Sequence, residues 1–388
     1  MGQKTPITQS FNLPDGREVV LETGKLATQA DGSCVIRIGK TMLFASVVSA
    51  HEPREGQSFF PLSVDYQEKY ASIGRIPGNF FRREARLSDY EILASRLVDR
   101  AIRPLFPDGY MNDTQVIINL ISAEQEVMPD AFVALAASTA LSVSDIPFSG
   151  PISEVRVAKV NGEYLVNPNR DKLANATLNI IIAASIDNVM MVEGDAKEVA
   201  EKELVEAIKV GHDAIKVQCQ AQLDLAAKVG ESATVKRVIE AAPENEEVKQ
   251  WIDDTCRAGL EKVCRGGLAK HERKAGYKEV KEAMKAARDE KFDEEFLAEN
   301  NSFFGRYFDK LKKEIIRELI LSEKLRLDGR NPETVRPIWT EIDYLPSAHG
   351  SAIFNRGETQ ALTSLTLGSK LDQAMVDTAL DMYYENFI

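Results

Sequence analysis

Apolar positions fall into three textures along the chain. Up to about residue 70 they come in short β-branched runs: Val19 to Leu21, Cys34 to Ile38, and Met42 to Val48. Such runs fit pleated, half-buried strands. Asp15-Gly16-Arg17 and Asp31-Gly32-Ser33 supply turns between them. A loop from Ile73 to Ala85 is broken by Gly74, Pro77 and Gly78. Ser88 and Glu91 then fit a capping box, in which each side chain satisfies a backbone N–H at a helix start. Pro104 ends that helix, because it has no N–H to donate. Gln115 to Ile121 alternates as a strand, with Val116, Ile118 and Leu120 on one face. An Ala-rich helix from Asp130, strand regions at Ser153 to Val160 and Thr177 to Val192, and a helix from Lys197 to Val217 complete an α+β domain over 1–230.

The second texture runs over 231–325. Prolines nearly vanish, charges are dense, and apolar residues recur at helical spacing, as in Ile315, Leu319 and Ile320. This predicts a small all-helical domain. Strand texture returns at Arg336, so the third region is 326–388. That return repeats the beginning. Asp15-Gly16-Arg17 recurs as Asp328-Gly329-Arg330. Gly32-Ser33 recurs as Gly350-Ser351, and at the same offset Gly39, Thr41 and Ser46 meet Gly357, Thr359 and Ser364. A matched series at nearly one offset points to a duplicated domain. The second copy has far fewer residues than the first, which predicts that most of it is missing here, and Tyr383 to Ile388 reads as a strand cut mid-run.

Composition narrows the class. The chain has 388 residues, 44% of them hydrophobic, enough for two or three domains with real cores. Met1 to Ser10 holds no apolar stretch of the signal-peptide kind, and the uncharged run Ala131 to Ser144 is too short to span a bilayer. Four cysteines form no CxxC pair, and four histidines lie far from them. These features predict a reduced, cytoplasmic protein without a zinc site or a membrane partner. The net charge of −12 argues against nucleic acid. It hides an uneven distribution, however. Seven arginines between Arg75 and Arg103 face only four acids, Glu84, Asp89, Glu91 and Asp99. This basic island is open to two readings, ion pairing inside a helical subdomain or a functional anion surface.

Three stretches carry a family resemblance. They are Gly78-Asn79-Phe80-Phe81-Arg82-Arg83-Glu84 with the following Arg96-Leu97-Val98-Asp99-Arg100 and Arg103-Pro104-Leu105-Phe106-Pro107; Met191-Val192-Glu193-Gly194 leading to Gly211-His212; and His349 to Gln360. Together they resemble the polynucleotide phosphorylase family over essentially the whole chain. Ala85, Leu87 and Ala101 depart from that pattern by replacing a Gly or Pro, and they remove no arginine. The resemblance implies a ribonuclease PH-like core (ribosomal protein S5 domain 2-like), an all-helical domain, and the start of a second such core. It implies a phosphate-dependent 3′-to-5′ exoribonuclease of mRNA degradation, releasing nucleoside diphosphates and reversible as RNA polymerisation. Inorganic phosphate is the implied co-substrate and Mg2+ the implied metal, held by carboxylates past Ile388. A homotrimeric ring with single-stranded RNA through its centre is implied, with RNA-degradosome components as further partners.

Phosphate attacking a phosphodiester sets two anions together, so such a site needs arginines, backbone N–H groups and a metal. No catalytic or metal-binding residue is assigned in this chain. The expected RNA-binding residues are Phe80, Phe81, Arg82, Arg83 and Arg86. Aromatic faces stack bases without regard to sequence, and arginines fork onto phosphate oxygens. Arg96, Arg100 and Arg103 fall on one helical stripe, where pairing with carboxylates competes with an RNA role. Two function classes stand beside each other: the enzyme, whose fragment by itself is expected to be inactive, and an RNA-binding ring or scaffold without chemistry.

Overall fold

The structure is a computed structural model describing residues 5–54, 57, 59–78, 82–84, 86–239 and 244–387. It divides into two compact units, Met1–Ala241 with Asp372–Ile388, and Ala242–Leu371.

In the first unit the β-branched runs become an antiparallel series: β1 (Ile7–Asn12), β2 (Glu18–Thr23), β3 (Gly32–Ile38) and β4 (Thr41–Ser49). β5 (Leu62–Glu68), helix α1 (Asp89–Ile102) and β6 (Thr114–Ser122) form a crossover whose two strands are parallel. The sheet order is β1-β2-β3-β4-β6-β5. Val116, Ile118 and Leu120 of β6 are fully buried, as their alternation predicts. The capping box is present: Ser88 Oγ accepts from the Glu91 N–H, and Glu91 Oε2 accepts from the Ser88 N–H at 2.6 Å.

α2 (Val133–Ser142) is buried along its whole length and packs against β3, β4 and the strand Ile152–Val160. A helix apolar all round belongs in a core. A second sheet follows: β7 (Ile152–Val160), β8 (Glu163–Val166), the single turn α3 (Arg170–Leu173), β9 (Ala176–Ser185) and β10 (Val189–Ala196), in the order β10-β9-β7-β8. The region Thr177 to Val192 is therefore two strands. Ser185 Oγ accepts from the N–H groups of Asp187 and Asn188 and folds the chain back there.

α4 (Glu201–Val229) packs against β7, β9 and β1, and the short α5 (Glu231–Thr234) follows it. α4 runs well past Val217, where the sequence pattern lost it. Gln218 and Gln222 sit on its buried face and disguise the apolar period. Each keeps a hydrogen bond there, Gln218 Oε1 accepting from Ser153 Oγ at 2.7 Å and Gln222 Nε2 donating to the Ile152 carbonyl at 2.8 Å, while Gln218 Nε2 and Gln222 Oε1 are buried without a partner among the described residues.

The second unit is built on α6 (Glu246–Arg265), α7 (Lys270–Lys291) and α8 (Glu294–Ser322), with Ile252, Leu260, Met284, Phe304 and Phe308 in its core. Asn245 and Asp293 cap α6 and α8 by accepting the N–H of Val248 and Phe296. A three-stranded sheet completes the unit: β11 (Ile338–Ile342), β12 (Gly350–Arg356) and β13 (Thr359–Leu365). The hairpin of β14 (Ala374–Asp377) and β15 (Met382–Glu385) groups with the first unit instead. Leu380 joins that unit's core, and Arg170 holds both carboxylate oxygens of Asp381 at 2.6 and 2.7 Å. Among the described residues no helix is long and apolar enough to cross a membrane.

Candidate nucleic-acid interface

The basic island begins where β5 ends. A 3-10 turn over Tyr70–Ile73 is stopped by Gly74, whose φ of 71° is the left-handed conformation that glycine adopts without steric cost. Both flanks of the loop that follows are tied down. On the first, Arg75 donates to the carbonyls of Thr378 and Ala379 at 3.0 and 3.2 Å and pairs with Asp377 at 2.7 Å. Tyr70 adds a bond from its hydroxyl to the Asp377 carbonyl at 2.6 Å. On the second, Glu84 accepts from the Tyr70 N–H at 2.8 Å and pairs with Lys69 at 3.1 Å.

Arg82 and Arg83 are exposed between these anchors, and Arg86 is exposed just past the second. Arg82 has φ 53°, uncommon for a residue with a Cβ, and its guanidinium donates to the Pro77 carbonyl at 3.4 Å. Arg83 and Arg86 line a cavity of about 580 Å³ together with Tyr70, Glu84 and Asp377. Phe80 and Phe81 lie outside the described residues. Accessible guanidinium groups of this kind can meet phosphate oxygens.

The arginines of α1 divide. Arg103 is bound into the fold, donating to the Phe60 and Leu62 carbonyls at 3.1 Å each and pairing with Asp99 at 2.6 Å. Arg100 pairs at the surface with Glu193 at 2.7 Å. Arg96 is exposed. In the second unit, Arg356 and Thr359 face each other at the end of the β12–β13 ladder. The anchors themselves escaped the sequence reading. Asp377 lies about 300 residues from Arg75 and carries no local signal of that contact.

A second feature of this region is its buried carboxylates. Glu154 is almost wholly buried at the start of α2, where Oε1 accepts the Ala134 N–H at 2.6 Å. Burial pushes its pKa up to about 8, against the partial relief of that backbone bond. Glu68 is pushed up to about 7, again by burial, despite the hydroxyl that Tyr66 donates at 2.9 Å. Arg156 pairs with Asp130 beside them. A larger cavity, about 720 Å³, lies elsewhere, between the β1–β2 turn and α4, with mostly apolar walls. Among the described residues no group of three or more His, Cys, Asp or Glu is placed to hold a metal ion.

Comparisons with known proteins agree with this layout. Residues 15–147 match the 3′ exoribonuclease family, domain 1, and residues 150–214 its domain 2. Residues 247–331 match the polyribonucleotide nucleotidyltransferase RNA binding domain. The polyribonucleotide nucleotidyltransferase of Cytophaga hutchinsonii is 51% identical over 377 residues, 97% of this chain and 52% of that protein. That of Parabacteroides distasonis is 50% identical over 383 residues, 99% of this chain and 51% of that protein. Among solved structures, a chain of the Archaeoglobus fulgidus exosome with RNA bound to the active site gives a TM-score of 0.43 at 19% identity, covering 53% of this chain and 90% of that one. The chain spans about half the length of the curated relatives it matches. With its ribonuclease PH-like α+β core, the helical unit behind it and this likeness along nearly its whole length, the chain belongs to the polyribonucleotide nucleotidyltransferase family.

Proposed function

We propose that this chain is the RNA-gripping portion of a phosphate-dependent 3′-to-5′ exoribonuclease that releases nucleoside diphosphates from RNA ends and runs in reverse as a polymerase. The observation that carries the reading is about 50% identity to named polyribonucleotide nucleotidyltransferases along nearly all of the chain. The arginine loop supplies the contact. Arg82, Arg83 and Arg86 neutralise successive phosphates, and Phe80 and Phe81 stack bases beside them. Arg75 and Glu84, on the described flanks of that loop, are anchored to Asp377 and to the Tyr70 N–H. The helical unit contributes further RNA binding. Inorganic phosphate is the attacking co-substrate and Mg2+ the metal of the reaction. The assembly that fits this reading is a cytoplasmic homotrimer acting in mRNA degradation, with degradosome components as candidate partners.

The test is RNA binding by Arg82→Ala with Arg83→Ala, measured against salt. Affinity should fall about equally for poly(A) and poly(U). The log–log salt slope should shrink by roughly 0.7 per arginine that neutralises a phosphate of a single strand. An unchanged slope would remove the phosphate contact, and a loss confined to one sequence would make the loop a base reader. For the chemistry, a protein of the relatives' full length carrying this segment should yield ADP from poly(A) only when phosphate is present. AMP released without phosphate would overturn the phosphorolytic reading.

A further inference from the structure

Helix α7 carries a second cationic surface, away from the arginine loop in sequence and in the other compact unit. At about 100° per residue, Lys270, Lys274, Lys278, Lys281, Lys285 and Arg288 fall within an arc of about 80°. The acids Glu272, Glu279, Glu282, Asp289 and Glu290 begin where that arc ends. The stripe runs the length of a 22-residue helix, about 30 Å at ~1.5 Å per residue.

Packing fixes which way this stripe faces. A Cβ on Gly276 of α7 would come within 2.9 Å of Val263 on α6, and one on Gly259 within 3.1 Å of Val280, so the two helices approach through glycines. Tyr277, Val280 and Met284 go into the unit's core, and the cations border them. Towards the C-terminal end the cations lie over aromatic rings, Lys281 at 5.7 Å from the Phe308 centroid and Arg288 at 5.6 Å from that of Phe304. This is a structural use of their stems. The N-terminal half differs. Lys270, Lys274 and Lys278 are exposed, and their side chains make no hydrogen bond or ion pair among the described residues.

Neighbouring α6 shows what a merely solvated helix face looks like in this unit. There Lys249 pairs with Glu246 at 2.9 Å, Arg257 with Asp253 at 2.5 Å, and Arg265 with Glu261 at 2.9 Å. On α7 the i, i+4 neighbours Lys270, Lys274 and Lys278, and again Lys281 and Lys285, repeat the same sign, which costs a helix about 0.2–0.5 kcal/mol per pair, offset at Lys278 by the charge of Glu282 one turn on. A row of like charges in a chain of net charge −12 is stable against its own repulsion when a polyanion neutralises it.

We propose that Lys270, Lys274 and Lys278, continued by Lys281 and Lys285, form a track for the phosphates of single-stranded RNA. This rests on the RNA-binding reading above, which already gives the helical unit a share of the binding, and locates that share on one face of one helix as a sequence-independent, electrostatic contact. Lys285 shares Glu282 at 2.9 Å, so the unpaired lysines at the N-terminal end carry most of the grip.

The experiment uses the full chain with Lys270, Lys274 and Lys278 all changed to Gln. Circular dichroism confirms the fold, and a fluorescent poly(A) 30-mer is titrated over a salt series. Lys197, Lys202 and Lys209 changed to Gln give the same loss of charge elsewhere, and Arg82→Ala with Arg83→Ala runs in parallel. The α7 variant should lose about 2 from its log–log salt slope, from roughly 0.7 per lysine, and bind at least about tenfold more weakly at low salt. The charge control should match the wild type. If the arginine variant loses affinity while the α7 variant does not, the track is wrong and the RNA reading stands. If the wild type binds no RNA, both fall. If poly(glutamate) displaces the RNA as well as unlabelled poly(A) does, the face is a site for acidic peptide and the RNA assignment is overturned.

Discussion

The same hairpin pattern occurs twice in this chain, and the two copies meet different surroundings. In both, an Asp-Gly-Arg turn leads through a strand into a two-strand ladder. Gly16 and Gly329 have φ of 89° and 81°, and Gly39 and Gly357 have φ of 57° and 60°. Ser33 pairs with Ser46, and Ser351 with Ser364. Burial then separates them. β3 is buried at every position but Arg37, while its counterpart β12 has no buried position; β4 is buried at alternate positions, while its counterpart β13 is exposed throughout. Local sequence therefore suffices to set turn, register and hairpin. What buries β3 and β4 is α2 and β6, which come from elsewhere in the chain. Identical local rules give equal shapes with unequal burial.

The largest effect that can break this comparison is expected at a matched glycine pair. A Cβ at Gly32 would lie 2.1 Å from the Ala140 carbonyl oxygen, whereas at Gly350 the nearest atom is the Leu365 Cδ2 at 3.6 Å. Gly32→Ala should cost about 1–3 kcal/mol or more through overpacking, and Gly350→Ala should stay within about 0.5 kcal/mol. Urea unfolding of both variants decides it. An equal loss at Gly350 would mean that the second hairpin is as tightly packed as the first.

The next contrast is in pH. Glu154 holds its proton in the fold up to about 8, against an ordinary value of 4.5. Between those values the folded state binds the proton and the unfolded state releases it. Stability from this group is therefore full below about 4.5, falls as pH rises towards 8, and levels off above. Glu68, raised to about 7, acts in the same direction. Glu154→Gln keeps the oxygen that accepts the Ala134 N–H. Melting temperature against pH should fall less steeply in this variant than in the wild type between pH 5 and 8. Parallel curves would show that Glu154 is not protonated in the fold.

A smaller difference separates the two turn arginines. Arg17 reaches beyond its own turn, to Asn169 Oδ1 at 3.2 Å and to the Asn167 carbonyl, while Arg330 binds Asp328 and the Thr334 carbonyl close by in sequence. Arg17→Ala should cost about 1 kcal/mol and Arg330→Ala less, by thermal unfolding. The reverse order would show that the second turn is held by more than its local bonds.

Much of the first core was legible in the chain. The capping box at Ser88, the alternation of β6 and the apolar run of α2 are short-range patterns, and short-range physics decides them. The far end of α4 was hidden, because Gln218 and Gln222 look polar until Ser153 and the Ile152 carbonyl are brought to them. The arginine loop could be named from sequence, but its anchors could not. The lysine face of α7 is visible in sequence as a helical period of like charge, yet only packing shows which of its members are left without a partner.

What the sequence by itself determined is the set of local shapes and the duplication, because turns, caps and hydrophobic period act over a few residues. The tertiary structure decided which copy of the hairpin is buried and which arginine faces solvent. It also decided where Asp377 and Asp381 dock: onto Arg75 and Arg170 of the first unit. Those outcomes depend on groups far apart in the chain, whose meeting leaves no periodic trace in the order of the residues.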